Sequence, residues 1–522
     1  MGEPTHTKFF LTTAIDYPNS RPHIGTAFEK IGADAQARFR RMEGNAVHFL
    51  MGNDENTIKV SQRAEELGFE PKAYVDEMAR QFQEVWAALE ISNNDFIQTS
   101  EERHHVGCRK FIQAVYDAGD IYKKAYVGLY CTGCEAFKTE KELTPDGRCP
   151  NHPNTPLKRI EEENYFFKLS AFSDRLLKHY AENPKFIQPE SRRNEIVNLV
   201  ESGLQDVSIS RKGFTWGIRV PFDEDQTIYV WFDALLNYIT AIGYGTDDDR
   251  FHSLWPADVH VIGKDITRFH CALWPAMLMS AGLPLPGRVF AHGFVYNKGA
   301  KISKSAGTAI DPMDVYSQHG ADAFRYFFLR ECPFGGDGDF SDERFAALYN
   351  SDLANNLGNL YSRTLSMCVK YFEGTLTGAN AIDTTAWRQS LDLPKLVEDL
   401  RELVGSFQYN VAIQKIWQDI LDAVNRYVQT TEPFKLIKTD PDACRAVLVN
   451  LAEALRVVAI LIKPFLPKTA RTFYEAFNFD DNRPWADVSY KDASTSCLPD
   501  VLRVTANLIN GKPSPLFPKI EV

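Results

Sequence analysis

The N-terminal segment constrains the fold more than any other part of the chain. Lys8 to Ile15 is rich in β-forming residues (Phe9, Phe10, Leu11, Thr12, Thr13) and breaks at Asp16-Tyr17-Pro18-Asn19, a run of turn formers, so a strand is predicted to end there. From Thr26 the apolar residues Phe28, Ile31, Ala35 and Phe39 recur at helical spacing, opposite a polar face carrying Glu29, Lys30, Arg38 and Arg40. Val47 to Met51 reads as a second buried strand. Parallel pairing of two such strands requires a helical crossover, which predicts a doubly wound α/β domain.

The alternation is interrupted from about Tyr126 to Pro221, where cysteines, prolines and charges intrude, and the apolar stretch Thr227 to Phe232 is expected to resume it. His260 to Gly263, a helix around Phe269 to Ala281, and Val289 to Val295 continue the pattern. Past Glu343 only helical patterns remain, in Leu348, Leu353, Leu357, Leu360 and Leu365, then Val411 to Val428 and Ala443 to Ile462, predicting a C-terminal helical bundle. Gly511 to Val522, with three prolines, reads as an extended tail. A chain of 522 residues divides into roughly three or four units.

With 44% apolar and 12% aromatic residues, the chain has the side-chain surface a folded core needs. Its formal charge of −11 argues against indiscriminate binding to nucleic acid or an anionic membrane. Met1 to Thr13 lacks a secretory pattern, and no apolar run approaches the ~18 residues of a membrane span, so a cytoplasmic protein is expected. Six of the nine cysteines (Cys108, Cys271, Cys332, Cys368, Cys444, Cys497) are scattered in mostly apolar surroundings, as reduced core thiols would be; Cys131, Cys134 and Cys149 cluster.

Two segments suit phosphate chemistry. Pro22-His23-Ile24-Gly25-Thr26 falls where a strand and turn meet a helix N-terminus, where unpaired N–H groups attract anions and an imidazole can stabilise charge in flight. Lys298-Gly299-Ala300-Lys301-Ile302-Ser303-Lys304-Ser305 sets lysines and hydroxyls around a glycine, as a closing phosphate clamp would. Taken singly, each is equally a glycine turn with a surface histidine, or a solvated basic turn. A third set, Cys131-Thr132-Gly133-Cys134 with Cys149-Pro150-Asn151-His152, has C-x2-C-x14-C-x2-H spacing. Four ligands in two knuckles suit one structural Zn²⁺ with no position left for water; four unlinked residues or a disulfide are the alternatives.

Together, the first two segments resemble the HIGH and KMSKS signatures of class I aminoacyl-tRNA synthetases, in order, separation and setting. The cysteine set resembles the single zinc knuckle of one bacterial branch of methionyl-tRNA synthetases. This resemblance implies a Rossmann-like catalytic domain in two halves, 1–117 and 227–295, separated by a zinc-bearing insertion at 118–226. It further implies a KMSKS-loop and stem-contact region at 296–345, an α-helical anticodon-binding domain at 346–500 and a tail at 501–522.

By the same resemblance His23, Lys301 and Lys304 are catalytic, and ATP contacts His23, Gly25, Thr26, Arg211, Asp265, Lys301, Ser303 and Lys304. The methionine site would comprise Ile15, Tyr17, Asp54, Trp231, Ala234, Leu235, Tyr238, Ile266 and His270, with Asp54 holding the ammonium. Asn355, Asn359 and Arg363, four apart on one helix face, and Phe434, as a stacking ring, would read the anticodon. Zinc would be held by Cys131, Cys134, Cys149 and His152. Departures from the family pattern are Thr26 for the last histidine of HIGH, Ile302 for a methionine, Asn56 in a string that commonly reads Asp-Glu-His-Gly, and Phe434 for a tryptophan.

The implied function is that of a methionine–tRNA ligase. It would activate L-methionine with Mg²⁺-bound ATP and transfer it to tRNA(Met), including initiator tRNA, as a monomer. The departures motivate an alternative: a catalytically weak or inactive paralogue that binds tRNA or nucleotide, or a duplicated, inhibitor-tolerant form. A sister enzyme for leucine, isoleucine or valine would need a large editing insertion for which there is no room, and a cysteine enzyme would need zinc in the substrate pocket.

Overall fold

The structure is a computed structural model, and it describes residues 7–131, 136–138, 143–150, 153–213, 215–302, 309–389, 391–509 and 512–521. Its centre is a six-stranded parallel sheet. In chain order the strands are β1 (Lys8–Thr13), β2 (Ala46–Asn53), β3 (Asp95–Gln98), β4 (Ile187–Gln188), β5 (Val259–Gly263) and β6 (Val289–His292). They lie side by side as β3-β2-β1-β5-β6-β4. The order reverses between β1 and β5, so the crevice that doubly wound sheets offer to ligands lies at the carboxyl ends of those two strands.

Helix α1 (Ile24–Met42) crosses from β1 to β2 as its periodicity requires, but its polar face is not solvated. Glu29, Lys30, Asp34 and Gln36 are buried along with Phe28, Ile31 and Phe39. Glu29 and Lys30 turn toward the loop after β1 and the end of β6, where they meet Ala14, Asp16 and His292, whereas Asp34 and Gln36 are covered by a second layer of C-terminal helices packed on α1. Phe334 and Tyr409 meet in that layer with ring centroids 5.4 Å apart, and the Tyr409 hydroxyl donates to Gly32 O at 2.8 Å. One hydrophobic core therefore runs from Phe28 through Phe328 and Ile413 to Leu455.

Two expectations for the middle of the chain change. Asp223–Ile228 is a strand, but it pairs antiparallel with Ser210–Lys212 and Arg219–Val220 in a small separate sheet, and Val230–Ala234 is a short helix. A short apolar run such as Thr227 to Phe232 carries no period that separates buried strand from buried helix. The main sheet is resumed by β5, and its far edge comes from Ile187–Gln188 within the interrupted stretch. Val289 to Val295 likewise divides, with Val295–Asn297 pairing to Gly338–Phe340 in another sheet.

The insertion is dominated by a long antiparallel ladder of Ile121–Cys131 against Lys158–Phe167. Past 343 the chain is helical as predicted until its end, where Val501–Arg503 pairs with Thr375–Thr377. The tail is extended yet docked: Phe517 is buried, and Asn350 both donates to Ile520 O and accepts from Ile520 N. No helix among the described residues is long and apolar enough to cross a membrane.

Candidate active site

The carboxyl ends of β1 and β5 open into a cleft of about 630 Å³ that reaches solvent. His23 stands at one side of it as the N-cap of α1. Its Nδ1 accepts from the backbone N–H of Thr26 at 3.1 Å, with the Thr26 hydroxyl 3.3 Å away. An imidazole that accepts at Nδ1 carries its proton on Nε2, so the ring is set as a donor. Gly25 leaves space for it, since a Cβ there would lie 3.0 Å from the imidazole carbon Cε1. His23, Gly25, Thr26 and Asp265 all line the cleft.

The other side is apolar. Ile15 and Tyr17 follow β1, and Asp54 follows β2, its N–H bonded to Asp16 O at 2.9 Å. Trp231 lies flat on Phe269, ring centroids 3.9 Å apart and planes 1° from parallel. With Ala234, Leu235, Tyr238, Ile266 and His270, all nine residues predicted for the methionine site border the same cleft.

The Tyr238 hydroxyl meets His270 Nε2 at 2.7 Å while Nδ1 faces Ile266 O at 3.1 Å. Burial pushes the His270 imidazole down to about 4. The ring is therefore neutral near pH 7, with Nδ1 as the donor and Nε2 accepting from the tyrosine. The part of the wall formed by Trp231, Tyr238 and His270 is accordingly uncharged, while Asp16, Glu29 and Asp54 border the same cleft.

Asn56 is held by two bonds from its amide nitrogen, to Thr99 O at 3.0 Å and to Asp233 Oδ2 at 2.8 Å. Asp233 Oδ1 meets His104 Nε2 at 2.6 Å, and His104 Nδ1 meets the Thr240 hydroxyl at 2.8 Å. The amide thus ties the Asp54 segment to the helix bearing Trp231. Beside it, burial raises the Glu55 carboxyl to about 7, against the lowering effect of hydrogen bonds from Ser100 and Gln98.

Comparison with known proteins agrees with this geometry. The family model described as "tRNA synthetases class I (M)" matches residues 9–156 and 152–365, and that for the "anticodon binding domain of methionyl tRNA ligase" matches 383–521. The chain belongs to the methionyl-tRNA synthetases. A methionine–tRNA ligase of Caldanaerobacter subterraneus subsp. tengcongensis is 45% identical over 98% of this chain and 79% of its own length. One from Rhizobium meliloti is 48% identical over 88% of this chain and 90% of its own. Among solved structures, Mycobacterium tuberculosis methionyl-tRNA synthetase in complex with methionyl-adenylate superposes with a TM-score of 0.89 at 40% identity, covering 98% of this chain and 100% of that one. The reaction of this synthetase is that of a methionine–tRNA ligase.

Other predicted residues of the synthetase lie elsewhere. Arg211 borders a small neighbouring cavity of about 30 Å³ instead of the main cleft; its guanidinium donates to Ser208 Oγ and Ser210 O, both at 2.7 Å, and covers the Tyr229 ring. Lys301 ends a short strand paired with Tyr296, after a turn in which Lys298 and Gly299 both adopt positive φ; Ser303 and Lys304 lie outside the described residues. Asn355, Asn359 and Arg363 are all exposed on one helical stretch, and Phe434 is 45% exposed, as a ring waiting for a base would be.

Of the predicted zinc ligands, Cys131 and Cys149 are fully buried, whereas Cys134 and His152 lie outside the described residues. Among the described residues another potential metal-holding group occurs: ligand atoms of His104, Cys108 and Asp233 lie within 4.8 Å of one another. Glu29 and His292 also face the cleft, although no sequence motif singles them out. Glu29 stands one turn beyond Thr26 on α1, and His292 ends β6, so helix spacing and the carboxyl-edge rule are the signals that could have found them.

Proposed function

We propose that the synthetase binds methionine against Ile15, Tyr17, Trp231, Ala234, Leu235, Tyr238, Ile266 and His270, with its ammonium on Asp54. Mg²⁺-bound ATP lies along His23, Gly25, Thr26 and Asp265. The methionine carboxylate attacks the α-phosphate in line, forming methionyl-adenylate and releasing pyrophosphate. The terminal ribose hydroxyl of tRNA(Met), initiator tRNA included, then takes the methionyl group. Catalysis rests on positioning and on charge stabilisation by His23 with Lys301 and Lys304, while Arg211 and Ser303 complete the phosphate contacts. The observation that carries this reading is the cleft in which an aromatic wall with Asp54 at its edge meets the histidine-capped N-terminus of α1.

Zinc is assigned to Cys131, Cys134, Cys149 and His152. Two fully buried thiols at the far end of the insertion's ladder fit a closed structural site, which would brace the lobe that guides the tRNA acceptor end. Asn355, Asn359, Arg363 and Phe434 read the anticodon, supported by their joint exposure. The units divide at 117, 226, 295, 345 and 500, and the protein acts as a cytoplasmic monomer.

The test is amino-acid-dependent ATP–pyrophosphate exchange, with leucine, isoleucine and cysteine as parallel controls. Methionine alone is expected to drive exchange, and replacing His23 with alanine to lower kcat by roughly 10²–10³-fold, the effect of removing one transition-state donor. Equal exchange with another amino acid would overturn the pocket assignment.

A further inference from the structure

Lys30 lies on α1 one turn beyond Thr26, and its side chain is 0% exposed. A buried ammonium is retained only where its protons are all taken up. Here Ala14 O at 2.8 Å and Glu29 Oε1 at 2.6 Å accept hydrogen bonds from it, and Asp16 Oδ2 lies 3.0 Å away as its second ion-pair partner. The three come from both halves of the cleft. Ala14 and Asp16 flank Ile15 in the turn after β1, and Asp16 is bonded through its backbone to Gly52 and Asp54, the segment assigned to the substrate ammonium. Glu29 belongs to the helix whose N-terminus faces ATP, and its second oxygen meets His292 Nε2 at 2.9 Å at the end of β6.

The charges also require it. Asp16, Glu29 and Asp54 border one cleft that must accept a triphosphate as well as a single ammonium. Bare carboxylates beside the phosphates would oppose ATP and compete with Asp54 for the amine. Lys30 neutralises two of them without reaching either substrate.

We propose that Lys30 is a positioning residue that locks the methionine-binding turn to the ATP-binding helix, so that filling one half-site organises the other. The inference rests on the substrate placement given above. It predicts a thermodynamic coupling: each ligand tightens the other by the same factor, and that factor depends on the lysine.

The experiment is calorimetric titration of methionine into the full-length synthetase, with and without saturating α,β-methylene-ATP. Three proteins are compared: wild type, Lys30→Met and Asp16→Asn. The nonhydrolysable nucleotide is expected to tighten methionine by at least about fivefold in wild type and by less than about twofold in either variant. Lys30→Met should also lose at least about tenfold in kcat/KM for exchange, because it leaves two carboxylates uncompensated. Should that variant not fold, Asp16→Asn still reports, since it retains the ammonium with its Ala14 and Glu29 contacts.

A lysine that serves stability alone would lower the melting temperature while leaving the coupling unchanged, and that result overturns the proposal. So does an absence of coupling in wild type. A wild-type protein with no methionine-dependent exchange would instead bring down the substrate placement itself.

Discussion

At the scale of single residues, the chemistry of the cleft depends on which groups are kept neutral. Burial holds the His270 imidazole near 4, down from 6.5, and drives the buried His260, which contacts Thr12 and Trp274, in the same direction. The folded state therefore prefers the uncharged rings. A depressed histidine contributes stability that is fully present above about 6.5 and is lost as pH falls through about 4. For His270 alone the loss amounts to at most about 3 kcal/mol. Denaturant titrations at pH 7.5, 6 and 5 should show wild type weakening progressively and His270→Gln weakening less. Over pH 7 to 8 the KM for methionine should carry no inflection from this ring. An identical pH slope in both proteins would show that His270 is not held neutral by the fold.

At the scale of elements, α1 explains both what the sequence makes legible and what it conceals. Its apolar period and the turn before it locate the strand, the helix and the His23 cap correctly, because those signals are local. The motif strings likewise pick out residues that the fold gathers on one cleft, since they follow the carboxyl ends of strands or sit on the short helical segments after them. The second face of α1 is illegible. Glu29 and Lys30 read as part of a polar face, yet they turn inward to the loop after β1 and the end of β6, and Asp34 is buried against Arg325 on a helix that follows the main sheet. Asn56 looks like a loss of function because its partners Thr99 and Asp233 are distant in sequence, and only the fold shows its amide nitrogen donating to both. Close packing on the hidden face gives a prediction. A Cβ on Gly32 would lie 2.1 Å from the ring of Phe334, so Gly32→Ala should destabilise by about 1–3 kcal/mol through overpacking. Pairing it with Phe334→Leu should recover part of that loss in the same denaturant titration; a neutral Gly32→Ala would mean that the Phe334 ring does not press on α1 in solution.

At the scale of the whole molecule, the catalytic sheet and the helical bundle are joined by a buried ion pair as well as by a continuous core. Asp34 on α1 meets Arg325, on the helix Pro312–Glu331, at 2.7 Å with both side chains 0% exposed, and it also receives Arg38 and the N–H and hydroxyl of Ser92. Arg325 in turn donates to Pro464 O and Phe465 O in the bundle and to Leu89 O in the catalytic domain. One guanidinium thus links the adenylation helix to the region assigned to the anticodon. The neighbouring arginines hold the Asp34 carboxyl near 2 against the cost of burial. Its stabilising effect is present above about 3.8 and disappears as pH falls toward 2. Removing one partner of a buried pair costs about 3–5 kcal/mol, whereas replacing both with apolar residues of similar size is often nearly neutral. Asp34→Asn should therefore lower stability by that amount at pH 7, and Asp34→Leu with Arg325→Met should restore most of it. Scanning calorimetry adds the structural half of the test. If the pair and the shared core make sheet and bundle one cooperative body, wild type should melt in a single main transition and Asp34→Asn should separate it into two. Two transitions already in wild type would mean that the bundle is an independent unit, and that a signal from a bound anticodon must reach the cleft by some path other than α1.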